Sequence, residues 1–332
     1  MEERNKEDFV GVSNITKWYL QRKSGSRLPG KTQKQWVKAV DGVSFAMKEG
    51  EVLGIIGESG CGKSTLGRVL VGLEVPTGGD ICFNGIPASD ILKKDRKKFR
   101  RTVQIVFQNP FDTFSPRHRI KDILVRTLKL HNIGASEAEQ YEICKKVMES
   151  AGLTPAEDYL SRYPYELSGG QLQRISILRA MLLDPPFIVA DEPVSMLDVS
   201  VRADIINMLL ELVQKKHTAM VFISHDIATT RYISDRIAVM YLGRIVETGN
   251  TDDVIQNPVH PYTRALLSNC ASIDPGEIKQ PISIDGEPPT PVNAGPGCYF
   301  APRCFEAAAE CFEKYPGVRS SGAGHMVYCH RI

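Results

Sequence analysis

Residues 57–64 read Gly57-Glu58-Ser59-Gly60-Cys61-Gly62-Lys63-Ser64. Glycines at these spacings let backbone N–H groups close around phosphate oxygens, where any Cβ would intrude. Such a loop works only between a strand and a helix. The run 51–56, apolar after Glu51, leads into Gly57 and supplies the strand; 63–70 reads as the helix. The positive end of that helix faces the same bound charge. Lys63 adds a mobile point charge, and the Ser64 hydroxyl suits magnesium. A chain with this segment folds around an α/β phosphate-binding core.

At 332 residues the chain is long for one domain and short for two large ones. Its apolar fraction, 42%, allows a sizeable core. Net charge is only +2, which argues against a nucleic-acid partner. No apolar run is long enough to span a bilayer. Residues 1–8 are charged with no apolar core behind them, so they do not read as a secretory signal. The expected compartment is the cytosol. Thiols there stay reduced, so a cysteine cluster reads as metal or redox chemistry before disulfides. Cys61, Cys82, Cys144 and Cys270 are scattered, whereas Cys298, Cys304, Cys311 and Cys329 crowd the C-terminal end.

Strands are expected at 9–15, 37–47, 103–107, 187–190 and 219–223. A further pair at 236–241 and 244–247 turns at Leu242-Gly243. The polar, basic stretch 21–35 reads as a connection. Helical patterns run from 120 to 183, broken near Gly134 and Thr154-Pro155, and again over 201–215. Strands alternating with helices imply an α/β core with an inserted helical segment. Composition shifts near Asn257, and prolines and glycines are dense over 275–296, which reads as a loop-rich tail. The basic run 93–101 reads as a solvated helix face.

The segment Pro186-Phe187-Ile188-Val189-Ala190-Asp191-Glu192 delivers two acids at a strand end. Asp191 suits a magnesium ligand and Glu192 a general base for water. Alone, two such acids are an ordinary solvated strand end. Beside the phosphate loop and Leu167-Ser168-Gly169-Gly170-Gln171 they are more than that.

With these motifs, residues 9–249 resemble the ATP-binding-cassette (ABC) family. The resemblance implies a P-loop nucleotide-binding domain over 1–252, with a RecA-like core, an antiparallel β subdomain and a helical subdomain at about 109–183. It implies that Gly57, Glu58, Ser59, Gly60, Cys61, Gly62, Lys63, Ser64 and Thr65 hold ATP, and that Ser64, Gln108 and Asp191 serve Mg2+. Glu192, His225 and Gln108 take the catalytic roles. Ser168, Gly169, Gly170 and Gln171 form the signature, which binds the γ-phosphate held by an opposite subunit. Gly169 and Gly170 expose backbone donors there, at the start of a helix. Asp198 closes the loop that crosses to that subunit, with Met196 where alanine is usual. Leu172 stands where arginine is common. The family stacks adenine on an aromatic residue near the N-terminus. Trp18 and Tyr19 both qualify, and Tyr19 aligns better.

Residues 257–267 and 297–304 resemble the C-terminal extension of the oligopeptide/dipeptide permease ATPases. Residues 191–195 with 198–200 resemble the second, F-type, subunit of such importers. The extension would span 253–332. The implied partners are a second related ATPase subunit in a heterodimer, two membrane permease subunits and an extracellular substrate-binding protein, with no nucleic acid. The chain would sit peripherally on the cytoplasmic face of the membrane. Peptides, oligosaccharides and nickel chelates all remain open as cargo. The set Cys298-x5-Cys304-x6-Cys311-x17-Cys329 lacks the tight Cys-x2-Cys knuckles of many zinc sites. Four thiolates also suit an iron–sulfur cluster. Because the family's extension can carry a [4Fe–4S] cluster, that ranks first and Zn2+ second. His260 and Tyr262 read as contacts within the extension, and the cysteines lie away in sequence from every ATP motif. Residues 111–117 depart from the family pattern.

Two rival readings are weaker. An ABC ATPase acting on DNA or ribosomes would need a long coiled coil between loop and signature, or a second cassette. A redox protein merely regulated by ATP would need an electron-partner motif. The sequence has none of these.

Overall fold

The computed structural model describes residues 8–21, 35–269, 280–284 and 286–332; Cys270 and most of the 21–35 connection lie outside them. The chain divides into two compact units. The first comprises Met1–Lys48, Val52–Pro87 and Phe222–Ile332, the second Glu49–Glu51 and Ala88–Val221.

In the first unit a four-stranded antiparallel sheet runs in the order Gln35–Met47, Val10–Gln21, Gly78–Phe83, Ile86–Pro87. Strand Val10–Gln21 outruns its expected end because it pairs along its whole length, from Val10↔Met47 to Gln21↔Gln35. Trp18 and Tyr19 therefore lie inside it. A second set of strands holds Val52–Ile56, parallel to Arg236–Tyr241. Every residue of Val52–Ile56 is buried, as the unbroken apolar run requires of a strand covered on both faces. Arg236–Tyr241 returns as Arg244–Asn250 through Leu242 (φ 42°) and Gly243 (φ 84°). Positive φ at both central residues matches the twist of a two-residue hairpin.

The Pro- and Gly-dense stretch carries no helix or strand over its described residues, 280–284 and 286–296, as its composition indicates, but the extension around it is ordered. His325–Val327 pairs with Arg244–Asn250, and Arg319–Gly322 adds outside it. Tyr262, Leu267, Tyr299 and Phe300 share one apolar cluster with Ile56, Ile237, Val239 and Tyr241. A segment too poor in apolar residues for its own core thus uses that of the neighbouring strands. The fully buried Glu247 pins it further: its carboxylate accepts from the Val259 and His260 N–H groups, both at 2.9 Å, and lies 2.7 Å from His325 Nε2.

In the second unit Val103–Val106 runs parallel to Phe187–Asp191. Strand Ala219–Ile223 is cut by the division between units. Helices Ile120–Leu130, Glu137–Ser150, Ala156–Ser161 and Gly169–Met181 pack around Leu124, Leu128, Met148, Leu160, Leu172 and Ile175. Two of their breaks fall near Gly134 and Pro155, as the sequence indicates, and a third, unexpected one separates Ser161 from Gly169. The basic run forms two short helices, Ala88–Lys94 and Arg96–Thr102, the second capped by Asp95 accepting from the Lys98 N–H at 2.9 Å. Phe99 alone among these helical residues is buried. Among the described residues no helix is long and apolar enough to cross a membrane.

Candidate functional site

In the first unit the buried strand Val52–Ile56 delivers the chain into the loop, and Lys63–Leu70 leaves it as a helix. Gly62 caps that helix at φ 106°. A Cβ on Gly57 would lie 2.1 Å from the Met240 carbonyl oxygen, and one on Gly62 2.0 Å from that of Ala39. Glycine is enforced at both by neighbouring backbone. Gly60, at φ 78°, faces open space instead, beside the exposed Ser59. That is the geometry of a cradle with one packed and one open side. Lys63, 5% exposed, donates through Nζ to Gly57 O at 2.7 Å and Glu58 O at 3.0 Å. Burial pushes the Cys61 thiol up from its ordinary value, so it packs here as a neutral group. Ser64 and Thr65 are half-buried in the first turn.

The same unit carries Tyr19 and His225. Trp18 and Tyr19 separate by role. Trp18 Nε1 donates to Asp41 Oδ1 at 3.1 Å, whereas Tyr19 is 39% exposed with Lys17 Nζ 5.0 Å from its ring centre. The Tyr19 hydroxyl donates to Glu74; partial burial and that carboxylate push its pKa up to about 12. A neutral, outward ring suits stacking. His225 is exposed, with Ser224 between it and strand Ala219–Ile223, and precedes the helix Ile227–Ile233 capped by Asp226.

The second unit holds the acids. Asp191 is 5% exposed at the end of its strand. Glu192 follows at φ 47°, a conformation that costs a non-glycine residue roughly 1–3 kcal/mol and is typical of functional sites. Gln108 Nε2 donates to Glu192 Oε2 at 2.8 Å. Sequence reasoning overlooked Gln173. Fully buried in the signature helix, it donates to the carbonyls of Pro193 (2.8 Å) and Phe107 (3.3 Å), the neighbours of Glu192 and Gln108.

Ser168 caps helix Gly169–Met181: its Oγ accepts from the Gln171 N–H at 3.3 Å, and Gln171 Oε1 accepts from the Ser168 N–H at 3.0 Å. A Cβ on Gly170 would approach Val201 Cγ1 to 2.8 Å. Ser168, Gly169, Gly170 and Gln171 line an open cavity of about 400 Å³ with Met196 and Asp198. Signature and crossing loop thus form one surface, presenting a helix N-terminus suited to an anion.

In the extension, Cys298, Cys304, Cys311 and Cys329 line a single small cavity of about 10 Å³. Burial pushes the Cys298 thiol up to about 11 and raises those of Cys304 and Cys329. Among the described residues, no group of three or more His, Cys, Asp or Glu side chains is gathered for a metal ion. The four-thiolate centre expected from the cysteine count and the resemblance is therefore not assembled in this arrangement. Buried neutral thiols pack as small apolar groups, and ligation requires their deprotonation.

Though distant in sequence, the extension meets the phosphate loop in the fold. The Tyr262 hydroxyl accepts from the Glu58 N–H at 2.9 Å, and Arg303 binds the Glu58 carboxylate. His260 bonds both within and outside the extension: its Nδ1 accepts from the Tyr262 N–H at 3.0 Å, and its own N–H donates to Glu247. Burial lowers its pKa to about 3 and keeps it neutral.

Residues 40–195 match the family described as ABC transporter. Residues 246–311 match the C-terminal region of oligopeptide/dipeptide transporters. The oligopeptide transport ATP-binding protein AppF of Bacillus subtilis (strain 168) is 42% identical over 335 residues, covering 98% of each chain. The dipeptide transport ATP-binding protein DppF of Escherichia coli (strain K12) is 44% identical over 299 residues, covering 89% of this chain and 87% of that one. A solved dimeric, post-hydrolysis structure of the ATP-binding cassette MJ0796, bound to ADP and Pi, aligns with a TM-score of 0.62 at 28% identity, covering 73% of this chain and 98% of that one. The fold is that of an ABC ATPase cassette, and the chain belongs to the oligopeptide/dipeptide ABC-transporter ATP-binding family.

Proposed function

We propose that this chain is the ATP-hydrolysing subunit of an importer for peptides or a related small solute. The observation that carries the reading is Glu192: a carboxylate in a left-handed conformation beside the buried Asp191, held by Gln108 at 2.8 Å. Strain of that kind persists where a side chain must be aimed. Glu192 takes the proton of the attacking water as its oxygen bonds to the γ-phosphorus and the bond to the β-phosphate oxygen breaks. Gln108 fixes the base, and His225 contacts the γ-phosphate. Lys63 and the loop N–H groups of 57–65 bind the phosphates, and Tyr19 stacks on adenine. Ser64, Gln108 and Asp191 offer the oxygen ligands that magnesium prefers. Magnesium, when bound, neutralises charge on the β- and γ-phosphates.

In this reading the cassette spans 1–252, with its helical subdomain at about 109–183, and the extension spans 253–332. The chain pairs as a heterodimer with a related ATPase subunit, its signature residues Ser168–Gln171 meeting the partner's γ-phosphate and Asp198 crossing between them. It binds peripherally at the cytoplasmic face to two permease subunits, served by an extracellular substrate-binding protein. The full-length similarity to peptide transport ATP-binding proteins supports peptide as cargo. Affinity purification from membranes should bring down two multi-spanning subunits and a second ATPase. Recovery of the chain alone, or with nucleic acid, would reject this assembly.

A metal centre at Cys298, Cys304, Cys311 and Cys329 belongs to the same proposal, [4Fe–4S] first and Zn2+ second. Its support is the shared cavity and the cysteine count. Because burial raises the Cys298, Cys304 and Cys329 thiols, the charge of an ion must offset their deprotonation, so ligation contributes folding energy to the extension. Anaerobically purified protein should hold iron, and Cys304→Ser should lose it and loosen the extension while the cassette stays folded. Zinc at one per chain moves the assignment to the second choice; neither metal above trace defeats it.

A further inference from the structure

We propose that Arg303 and Tyr262, both from the C-terminal extension, are positioning residues for the phosphate loop: together they hold Glu58 so that Lys63 and the loop N–H groups meet a nucleoside triphosphate. This rests on reading 57–64 as the nucleotide loop.

Glu58 is gripped at each of its polar groups. Its N–H donates to the Tyr262 hydroxyl at 2.9 Å. Its carbonyl accepts from Lys63 Nζ at 3.0 Å and from the Cys61 N–H at 3.3 Å. Its carboxylate takes Arg303 Nη1 at 2.9 Å and Nη2 at 3.3 Å. The two-pronged geometry fixes orientation as well as distance. The Gly57–Glu58 peptide, whose carbonyl accepts from Lys63 Nζ at 2.7 Å, is therefore set from outside the loop.

Both clamps are themselves immobilised. Tyr262 is fully buried, its ring centre 4.7 Å from Tyr241 and 5.3 Å from Phe300. The Arg303 side chain is 8% exposed, and its guanidinium also donates to the Tyr241 hydroxyl at 3.2 Å and to Gly286 O at 2.7 Å. A charge this enclosed does not exchange partners freely with water. The loop opens at the exposed Ser59 and at Gly60, where a Cβ would meet nothing within 4 Å. One wall of the cradle is thus built by the extension, and the other is left for the ligand.

Arg303 ends the turn Ala301–Arg303 and directly precedes Cys304, so order in the cysteine segment reaches the loop through one residue. The extension, on this account, contributes to nucleotide affinity, which a mere docking appendage would not.

The test is a double-mutant cycle on the full chain: Arg303→Met, Glu58→Gln and both together. ATPγS affinity is measured by calorimetry, and KM for ATP and kcat in the assembled transporter. Each single change should weaken nucleotide binding about tenfold, and the double change no more than the worse single, as groups acting through one contact are non-additive. Arg303→Met should act mainly on KM, with Arg303→Lys recovering part of the loss. Tyr262→Phe, which removes one oxygen, should weaken binding in the same direction and serves if Arg303→Met does not fold. Wild-type KM in Arg303→Met and Tyr262→Phe, whatever their melting temperatures, or full additivity in the cycle, overturns the proposal. Lys63→Ala runs alongside: if it too binds nucleotide normally, the reading of the loop has failed; if it alone loses binding, only the clamp has.

Discussion

Glu192→Gln keeps ATP bound while hydrolysis in the assembled transporter falls by about 10²–10⁴-fold, the range expected when a general base is removed. The amide preserves the shape of the side chain and its partner Gln108, so binding geometry is retained. What it loses is the ability to take a proton from water. The left-handed backbone at Glu192 (φ 47°) is unaffected by the change, so global stability should shift little. Phosphate release under single-turnover conditions separates the two effects: bound ATP with no product is the expected result. Hydrolysis at the wild-type rate would remove Glu192 from the role of base.

Ser168→Arg acts on assembly and should spare binding to the chain's own loop. Removing the serine cap costs the signature helix about 1 kcal/mol. That alone would be tolerated, because helix Gly169–Met181 is anchored by Leu172, Ile175 and Leu178 in the core. The larger effect is steric and electrostatic. Arginine would project from the rim of the cavity of about 400 Å³ that Ser168 shares with Gly170, Met196 and Asp198, where a partner's γ-phosphate is proposed to enter. ATP-driven dimerisation, followed by light scattering, should vanish while nucleotide affinity of the isolated chain stays within about twofold, a negligible difference in free energy. Persistent ATP-driven dimers would refute the role of the signature surface in trans.

Much of this was legible in the sequence because the chemistry is local. The phosphate loop, its strand and its helix occupy 52–70, and glycine positions fix the cradle before any packing is known. The hairpin at Leu242-Gly243 was legible for the same reason. Strands Gly78–Phe83 and Ile86–Pro87 were not, because Gly78, Gly79 and Asp80 carry no apolar alternation and pairing with Val10–Gln21 decides the conformation. The length of Val10–Gln21 was missed likewise, since its exposed end, Leu20 and Gln21, is held by partner residues. The packing of the extension was the least legible. Its order comes from Glu247, whose carboxylate gathers Val259, His260 and His325, and from aromatic residues buried against Ile237 and Val239. Nothing near Arg303 in sequence announces Glu58, 245 residues away. Such contacts follow from three-dimensional packing and leave no local pattern.

The most direct test of the central claim is peptide uptake driven by this subunit. Vesicles carrying the assembled transporter, with Mg-ATP trapped on the side of the ATPase subunits, are given labelled dipeptide and the substrate-binding protein from outside. Accumulation above the external concentration that needs ATP, and that disappears with Glu192→Gln, is the predicted result. Equal label inside with and without ATP, or uptake that survives Glu192→Gln, would contradict the account.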